Sequence, residues 1–188
     1  VLQALRDAPL AVGAMAGHSL GEYSALVCAG AISFVDGVGL VRKRGELMQQ
    51  AVPSGQGGMA AILGLEDSKV RACCAAVAGV VTAANYNAPG QIVIAGETSA
   101  VAAAIQACKD AGAKRAVALD VSGPFHSPLM VPAAEEFSEV LNATQVHMPE
   151  ITVVQNVQAR PATDERDIRA NLVAQLSAPV RWTETIER

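Results

Sequence analysis

The residues with the clearest chemical potential lie in the stretch AGHSLGEYSA, residues 16–25, where Gly17 and Gly21 flank Ser19 in a GxSxG pattern. A short apolar run precedes the pattern, and an apolar segment with helical spacing follows it. A serine in such a strand, turn and helix setting can occupy a strained turn that exposes its hydroxyl as a nucleophile. The flanking glycines remove Cβ atoms that would collide with the strand and the helix. The simpler alternative is that Ser19 only caps the helix, beside two loop glycines.

An oxyanion that forms beside Ser19 would need hydrogen-bond donors. The start of a helix directs free N–H groups toward the preceding turn, where they stabilise negative charge. We therefore predict that the backbone N–H of Leu20 is the donor.

A nucleophilic serine also needs a base, and the chain holds three histidines. His18 adjoins Ser19, and neighbouring side chains in a strand-like turn diverge, so we expect His18 to brace the turn. His147 lies in TQVHMPE, which is typical of an exposed linker. His126 lies in SGPFHSPLM, after an apolar strand and between two prolines that restrict the backbone. Loops after strands hold the sites of α/β folds, so we predict His126 as the base.

Arg44 stands out by its position on a predicted helix over residues 35–51. At ~100° per residue, it falls inside the arc that the apolar side chains of this helix occupy. A guanidinium buried without a partner is costly, so Arg44 needs a fixed anion. The sequence leaves two alternatives open, a carboxylate of the protein or a bound carboxylate that the planar guanidinium fork matches.

Composition excludes several classes of function. Eighteen acidic residues against fourteen basic ones give a net charge of −4, and only six side chains are aromatic, which argues against a nucleic-acid surface. No apolar run approaches the ~20 residues of a membrane span, so we expect a soluble protein. The four cysteines form no CxxC pair and have no histidine at metal-ligand spacing. We expect free thiols, no metal site and a reducing, cytoplasmic location.

The elements that position these residues alternate between strands and helices, which predicts an α/β fold. From Met59 to residue 121 the predicted order is strand, helix, strand, strand, helix, strand. This βαββαβ order is typical of a ferredoxin-like unit. We therefore predict a small subdomain over residues 57–117, inserted into a large α/β catalytic subdomain formed by residues 1–56 and 118–188. Within the large subdomain we predict strands at 12–16 and 151–157, and helices at 20–29, 133–141 and 164–176.

Five motifs in this chain occur in one order: GHSLGEYSAL with Ser19, VRKRGELMQ with Arg44, NYNAPGQIVIAG, SGPFHSPLM with His126, and QLSAPVRW with Gln175. Together they closely resemble the malonyl-CoA:acyl carrier protein transacylases, the acyltransferase family of fatty acid and polyketide synthesis. The resemblance extends over essentially the whole chain, and the conjunction is far more specific than any single motif.

The resemblance implies an α/β-hydrolase-like large subdomain with a ferredoxin-like insertion. It gives Ser19 the role of the acylated nucleophile and His126 the role of the base, oriented by the backbone carbonyl of Gln175 rather than by an aspartate. Arg44 matches the family's arginine that pairs with the free carboxylate of malonate. Phe125 resembles the malonyl-type pattern, in which a bulky ring leaves less room for an α-methyl branch.

The implied activity is transfer of a malonyl group from malonyl-CoA to the phosphopantetheine thiol of acyl carrier protein, without a cofactor and by a monomeric enzyme. One alternative is a serine esterase or thioesterase of α/β-hydrolase type, which shares the elbow but predicts neither Arg44 nor the insertion. Another is a non-catalytic domain that docks acyl carrier protein.

The chain departs from the family at both ends. The GQG-type loop that supplies the family's other oxyanion amide has no counterpart before Val12, and we expect the family's C-terminal helix and closing strand to be absent after QLSAPVRW. The sequence therefore resembles a truncated relative. A molecule that stopped at these ends would be expected to turn over weakly or not at all and to expose a sheet edge.

Overall fold

The computed structural model describes residues 11–188. In this part of the chain the strands are β1 (Ala14–Ala16), β2 (Gly57–Leu63), β3 (Val81–Ala88), β4 (Gln91–Glu97), β5 (Arg115–Leu119), β6 (Thr152–Gln155) and β7 (Arg160–Pro161). The α-helices are α1 (Leu20–Cys28), α2 (Phe34–Gln50), α3 (Asp67–Ala76), α4 (Thr98–Asp110), α5 (Val131–Asn142), α6 (Glu165–Ala174) and α7 (Trp182–Glu187), and Pro128–Met130 form a 3-10 turn.

The first sheet has the order β1-β6-β7, with β1 parallel to β6 and β7 antiparallel to it. The apolar faces of α1, α2, α5 and α6 pack into one core with this sheet, with Tyr23, Leu26 and Phe137 among its largest buried side chains. The side chain of Ser33 caps α2 by accepting a hydrogen bond from the Asp36 N–H. This core fixes the start of α1 and the buried face of α2 relative to the end of β6.

The second sheet is antiparallel and has the order β3-β4-β2-β5. One face packs against α3 and α4, around Ile62, Ile92 and Ile94. On the other face, Met59 and Val93 pack near the partly buried ring of Phe125. The same ring also packs against the core of the first sheet. This face of the second sheet therefore lies opposite the loop that carries His126.

The prediction of an α/β fold is confirmed, and the elements between residues 57 and 119 occur in the order strand, helix, strand, strand, helix, strand. The predicted subdomain boundary at residue 117 falls inside β5, which continues to Leu119. No sequence pattern predicts β7, which is only two residues long and starts with Arg160 beside a proline. Such a strand is too short for the alternation that marks strands in a sequence.

A short helix, α7, begins at Trp182, the last residue of the QLSAPVRW motif. The segment before α7 joins the two sheets. Val180 donates to the carbonyl of Ala84 and accepts from the N–H of Tyr86, both at 2.9 Å, which adds a parallel bridge beside β3.

The four cysteines are free thiols; Cys74 and Cys108 are buried, whereas the other two are half-buried. Burial raises the pKa of the Cys74 thiol to about 11, so this thiol is protonated at neutral pH. Across residues 11–188, no helix combines the length and the apolar character needed to cross a membrane.

Candidate active site

Ser19 occupies the sharp turn between β1 and α1, with φ 52° and ψ −108°. A non-glycine residue with positive φ is rare, and such strain is held only where the surroundings impose it. A Cβ at Gly17 would lie 2.0 Å from the backbone C and O of Gly21, so only glycine fits at position 17. The expectation for Gly21 is wrong, because a Cβ there would meet no heavy atom of the described residues within 4 Å. Gly17 alone therefore allows the close approach of strand and helix.

Asn156, which directly follows β6, forms two hydrogen bonds to this turn. Its Oδ1 accepts from the backbone N–H of Ser19 at 2.6 Å, and its Nδ2 donates to the carbonyl of Gly17 at 2.8 Å. Asn156 is fully buried, whereas both bonds reach the half-buried turn. Our sequence reasoning missed this residue. The one available signal was an Asn that closes the apolar strand TVVQ, at the edge where α/β sheets collect polar groups.

His126 lies against the nucleophile, with 2.8 Å between its Nε2 and the Oγ of Ser19. Its Nδ1 lies 2.7 Å from the carbonyl oxygen of Gln175, and the backbone N–H of His126 donates to the carbonyl of Leu176. A carbonyl only accepts, so Nδ1 carries the proton and Nε2 presents a lone pair to the serine hydroxyl. The backbone thus fixes the tautomer that a general base requires. His126, like Ser19, has a positive φ, here 58°.

Burial, together with the nearby positive charge of Arg44, lowers the pKa of His126 to about 4, although the bond to Gln175 opposes this shift. The imidazole is therefore neutral at pH 7 and ready to accept a proton.

Arg44 lies on the buried face of α2 and is only 6% exposed, as its position on the apolar arc predicts. Its Nη2 donates to the Oγ of Ser19 and to the Oε1 of Gln175, both at 2.9 Å. The guanidinium carbon lies 5.6 Å from the ring centroid of Tyr23. Within residues 11–188, no carboxylate lies within 4 Å of Arg44, and its buried Nε has no hydrogen-bond partner. Of the two alternatives, a directly paired carboxylate of these residues is therefore excluded.

The N–H of Leu20 occupies the first position of α1, where no carbonyl of the same helix is available to it. The next two N–H groups, those of Gly21 and Glu22, bond to the carbonyls of His18 and Ser19. Among the backbone N–H groups that follow Ser19 in this turn, that of Leu20 is therefore the one that makes no such turn bond.

Ser19, Arg44 and His126 open into a cleft of about 400 Å³ between the two sheets. Its other lining residues are His18, Gly45, Met48, Gln49, Met59, Asn85 and Phe125. A second cavity, of about 480 Å³, lies between α1 and α2 and is almost wholly apolar. The chemistry belongs to the first cleft, because only that one reaches the hydroxyl of Ser19.

The other two histidines lie elsewhere. His18 places its Nε2 2.8 Å from the Oδ1 of Asn87 and packs edge-on against Trp182, with ring centroids 5.4 Å apart. These contacts connect the turn to β3 and α7. His147 is exposed, and its backbone N–H bonds to the carbonyl of Ala31. In residues 11–188, no cluster of His, Cys, Asp or Glu could hold a metal ion.

Gln175 contributes more than its carbonyl. Its fully buried side chain accepts from Arg44 through Oε1, while Nε2 donates to Glu22 at 2.8 Å and to the carbonyl of Ser19 at 3.2 Å. Glu22 is itself fully buried, and our sequence reasoning did not single it out. A glutamate at the start of a helix ordinarily indicates a solvated residue that favours the helix dipole, so its burial had no sequence signal.

Comparison with known proteins supplies the family. A sequence model described as "Acyl transferase domain" matches residues 3–188. The chain belongs to the acyl transferase domain family. Among the family's curated members, it is 54% identical over 176 residues to the malonyl CoA-acyl carrier protein transacylase of Haemophilus influenzae and 48% identical over 191 residues to that of Bacillus subtilis. These matches cover 93% and 100% of this chain.

Solved structures of this family agree with the fold. An acyl carrier protein S-malonyltransferase from Vibrio cholerae superposes with a TM-score of 0.96 at 49% identity, over 99% of this chain and 62% of that one. A malonyl-transacylase solved in complex with its type II polyketide synthase acyl-carrier protein gives a TM-score of 0.97, also at 49% identity, over 99% of this chain and 61% of that one. The chain spans 56% and 60% of the length of the Haemophilus and Bacillus relatives.

Proposed function

We propose that this chain carries the nucleophile and base of an acyltransferase that moves a malonyl group from malonyl-CoA to the phosphopantetheine thiol of acyl carrier protein. One observation carries the proposal: a base and a buried cation meet at a single hydroxyl. His126 Nε2 lies 2.8 Å from Ser19 Oγ, and Arg44 Nη2 donates to the same Oγ at 2.9 Å. An esterase needs the base, but it has no use for a buried guanidinium beside the nucleophile.

In the first half-reaction, Ser19 Oγ attacks the thioester carbonyl carbon while His126 Nε2 takes the hydroxyl proton. The developing oxyanion lies at the start of α1, where Leu20 N–H donates to it. Collapse of the tetrahedral intermediate breaks the carbon–sulfur bond, and His126 returns its proton to the departing CoA thiolate. The product is a malonyl ester on Ser19.

The second half-reaction reverses these steps with a different thiol. His126 takes the proton of the phosphopantetheine thiol, whose sulfur attacks the ester carbonyl carbon. The ester bond to Oγ breaks, and the proton passes from His126 to Ser19. Proton and acyl group balance over the cycle, which is the ping-pong scheme of covalent catalysis.

Arg44 selects a substrate with a free carboxylate. Its guanidinium is buried, lines the cleft and has no carboxylate within 4 Å among the described residues, so a malonyl carboxylate would pair with it, whereas an acetyl group would leave it unpaired. Phe125 and Met59 line the same cleft and restrict space beside the acyl chain, in keeping with malonyl rather than a branched group.

The architecture belongs to the same proposal. We infer an α/β-hydrolase-like subdomain from residues 1–56 and 118–188, and a ferredoxin-like one from 57–117, because the second sheet has the order β3-β4-β2-β5 with both helices on one face. The substrate is malonyl-CoA, and the partner is acyl carrier protein, as in the relatives' names. The enzyme acts as a cytoplasmic monomer without a cofactor.

Mass spectrometry of the protein after incubation with malonyl-CoA tests this function. We expect a malonyl adduct on a peptide containing Ser19 that persists until acyl carrier protein with its phosphopantetheine arm is added. Ser19→Ala should abolish the adduct while leaving the fold intact. Rapid loss of the adduct to water without a thiol acceptor would instead indicate an esterase. Binding of the carrier protein without any labelling of Ser19 would indicate a docking domain.

A further inference from the structure

Glu22 is a fully buried acid that the mechanism above does not use. It lies three residues after Ser19, on the inner face of α1, and each of its contacts is a donor: Nε2 of Gln155 at 3.0 Å, the backbone N–H of Asn156 at 2.8 Å, and Nε2 of Gln175 at 2.8 Å. A carboxylate is an acceptor only, whereas a carboxylic acid would need an acceptor for its own proton. The surroundings therefore fit the ionised form.

The side-chain amide of Gln175 can adopt only one orientation between Glu22 and Arg44. A guanidinium has no acceptor, so the group that faces Arg44 Nη2 must be the amide oxygen. The amide nitrogen then faces Glu22, which accepts its proton. Reversal of the amide would put nitrogen against the guanidinium and oxygen against the carboxylate, which is unfavourable at both ends.

We propose that Glu22 is a positioning residue for recognition of the substrate carboxylate, because it fixes the Gln175 amide that holds Arg44. This inference rests on the proposed malonyl transfer. Through the amide, Glu22 compensates the charge of Arg44 without occupying the guanidinium directly, so within residues 11–188 no carboxylate competes with the substrate for that cation. A direct ion pair would stabilise the empty site but would compete with that substrate.

Electrostatics supports this arrangement. Burial lowers the pKa of Arg44, and the nearby Tyr23 and then the negative charge of Glu22 oppose the shift. Burial raises the pKa of Glu22, while its three hydrogen bonds and Arg44 oppose that shift in turn. Each group thus favours the charged form of the other across a single amide.

The test compares Glu22→Gln with Gln155→Met as a matched control. Both substitutions disturb the same buried cluster, but only the first changes the partner of Gln175. Transfer of malonyl and acetyl groups from CoA to the carrier protein is measured with each variant, and the folded fraction is determined by circular dichroism. For Glu22→Gln we expect malonyl kcat/KM to fall about tenfold or more, mainly through KM, while acetyl transfer changes by less than about threefold.

The control should keep the wild-type ratio of malonyl to acetyl transfer, even where its stability falls. An equal loss of both activities in Glu22→Gln, or the same change of ratio in Gln155→Met, would overturn the proposal and leave Glu22 a structural residue. Glu22→Asp keeps the charge and should recover part of the malonyl preference. Failure of the proposed function would give a result different from failure of the Glu22 proposal, because the wild-type protein would then transfer no malonyl group at all.

Discussion

The hydroxyl of Ser19 forms hydrogen bonds with two residues, the neutral imidazole of His126 and the guanidinium of Arg44. Its proton points toward His126 Nε2, since Arg44 can only donate. Under the proposed function, the free carboxylate of the malonyl group would bind the same guanidinium when the substrate enters the cleft. The proposed selectivity for a dicarboxylic acyl group therefore depends on Arg44, which makes this side chain the most informative one to change.

Replacement of Arg44 by Ala tests this proposed role in selectivity. We expect malonyl transfer to fall about 30-fold or more, because the substrate carboxylate would be buried without its partner, while acetyl transfer falls little or rises. Steady-state kcat/KM with malonyl-CoA and acetyl-CoA measures this directly. Arg42→Ala, on the exposed face of the same helix, is the matched control and should leave both values unchanged. Equal losses for both substrates in Arg44→Ala would mean that the arginine is structural.

The acidity of His126 sets the pH dependence of acylation. The base must be neutral, and its pKa of about 4 lies below the ordinary value of 6.5 because of burial and the charge of Arg44. As pH falls, the rate should therefore stay level through pH 6 and decline only as pH approaches about 4. Stopped-flow acylation with malonyl-CoA, with folding monitored in parallel, checks this. A midpoint near 6.5 in folded protein would contradict the buried neutral imidazole.

The same shift makes folding sensitive to acid. The unfolded chain binds a proton at His126 with the ordinary pKa of 6.5, whereas the folded chain does so only near 4. Stability from this group is thus present above pH 6.5 and is lost as pH falls toward 4, by about 3 kcal/mol in all. Urea unfolding at pH 7 and pH 4.5 should show a smaller loss in His126→Gln than in the wild type.

Among the secondary-structure elements, the turn between β1 and α1 depends on the close backbone approach of Gly17 to Gly21 and on two hydrogen bonds from Asn156. Gly17 lets the strand pass against the backbone at Gly21, and Asn156 bonds to both sides of the turn from the adjacent parallel strand. The positive φ of Ser19 is held by these contacts rather than by the preference of serine. The elbow is accordingly a product of strand pairing as well as of its local sequence.

A pair of alanine substitutions tests the unequal demands on the two glycines. Gly17→Ala should lower the free energy of unfolding by about 1–3 kcal/mol or more and abolish acylation, because its Cβ would lie 2.0 Å from backbone atoms. Gly21→Ala should leave stability unchanged or raise it by up to about 1 kcal/mol, since alanine favours a helix. Urea denaturation measures both. Similar losses in the two variants would contradict the geometry of the turn.

At the scale of the whole molecule, the cleft lies between two sheets whose relative position fixes its width. Phe125 faces Met59 of β2 across the cleft, and Asn85 of β3 forms another part of the lining. The segment around Val180 bonds to β3 on both sides of Asn85 and thereby attaches the second sheet to the rest of the fold. Substrate space therefore depends on this junction.

Val180→Pro removes the N–H that bonds to Ala84 and should loosen the junction. Val180→Ala loses side-chain packing but keeps that bond, so the difference between the variants reports the backbone contact. We expect the proline variant to be less stable than the alanine variant by about 1–3 kcal/mol and to have a higher KM for malonyl-CoA. Thermal unfolding and steady-state kinetics measure these quantities. Identical behaviour of the two variants would show that the bond contributes nothing.

The α/β alternation, the strand, turn and helix around Ser19, and the burial of Arg44 could all be predicted from the amino-acid sequence. These features follow from local patterning: periodicity assigns a side chain to a face, and glycine marks a close approach. The sequence also singled out His126, which lies 107 residues from Ser19 and yet within hydrogen-bond distance of it. Resemblance to a family, rather than spacing, pointed to the carbonyl of Gln175.

The contacts among the buried polar groups, in contrast, could not be predicted from the sequence and depend on tertiary packing. Asn156 reaches Ser19 across 137 residues, and Glu22 reaches Gln175 across 153. Glu22 looks like an ordinary surface residue in the sequence, and the position of Asn156 at the end of an apolar strand does not identify its partner, because hydrogen-bond partners from distant segments leave no periodic signal. The physical reason is that burial of an amide or a carboxylate is favourable only once every partner is in position, and chain topology alone brings those partners together.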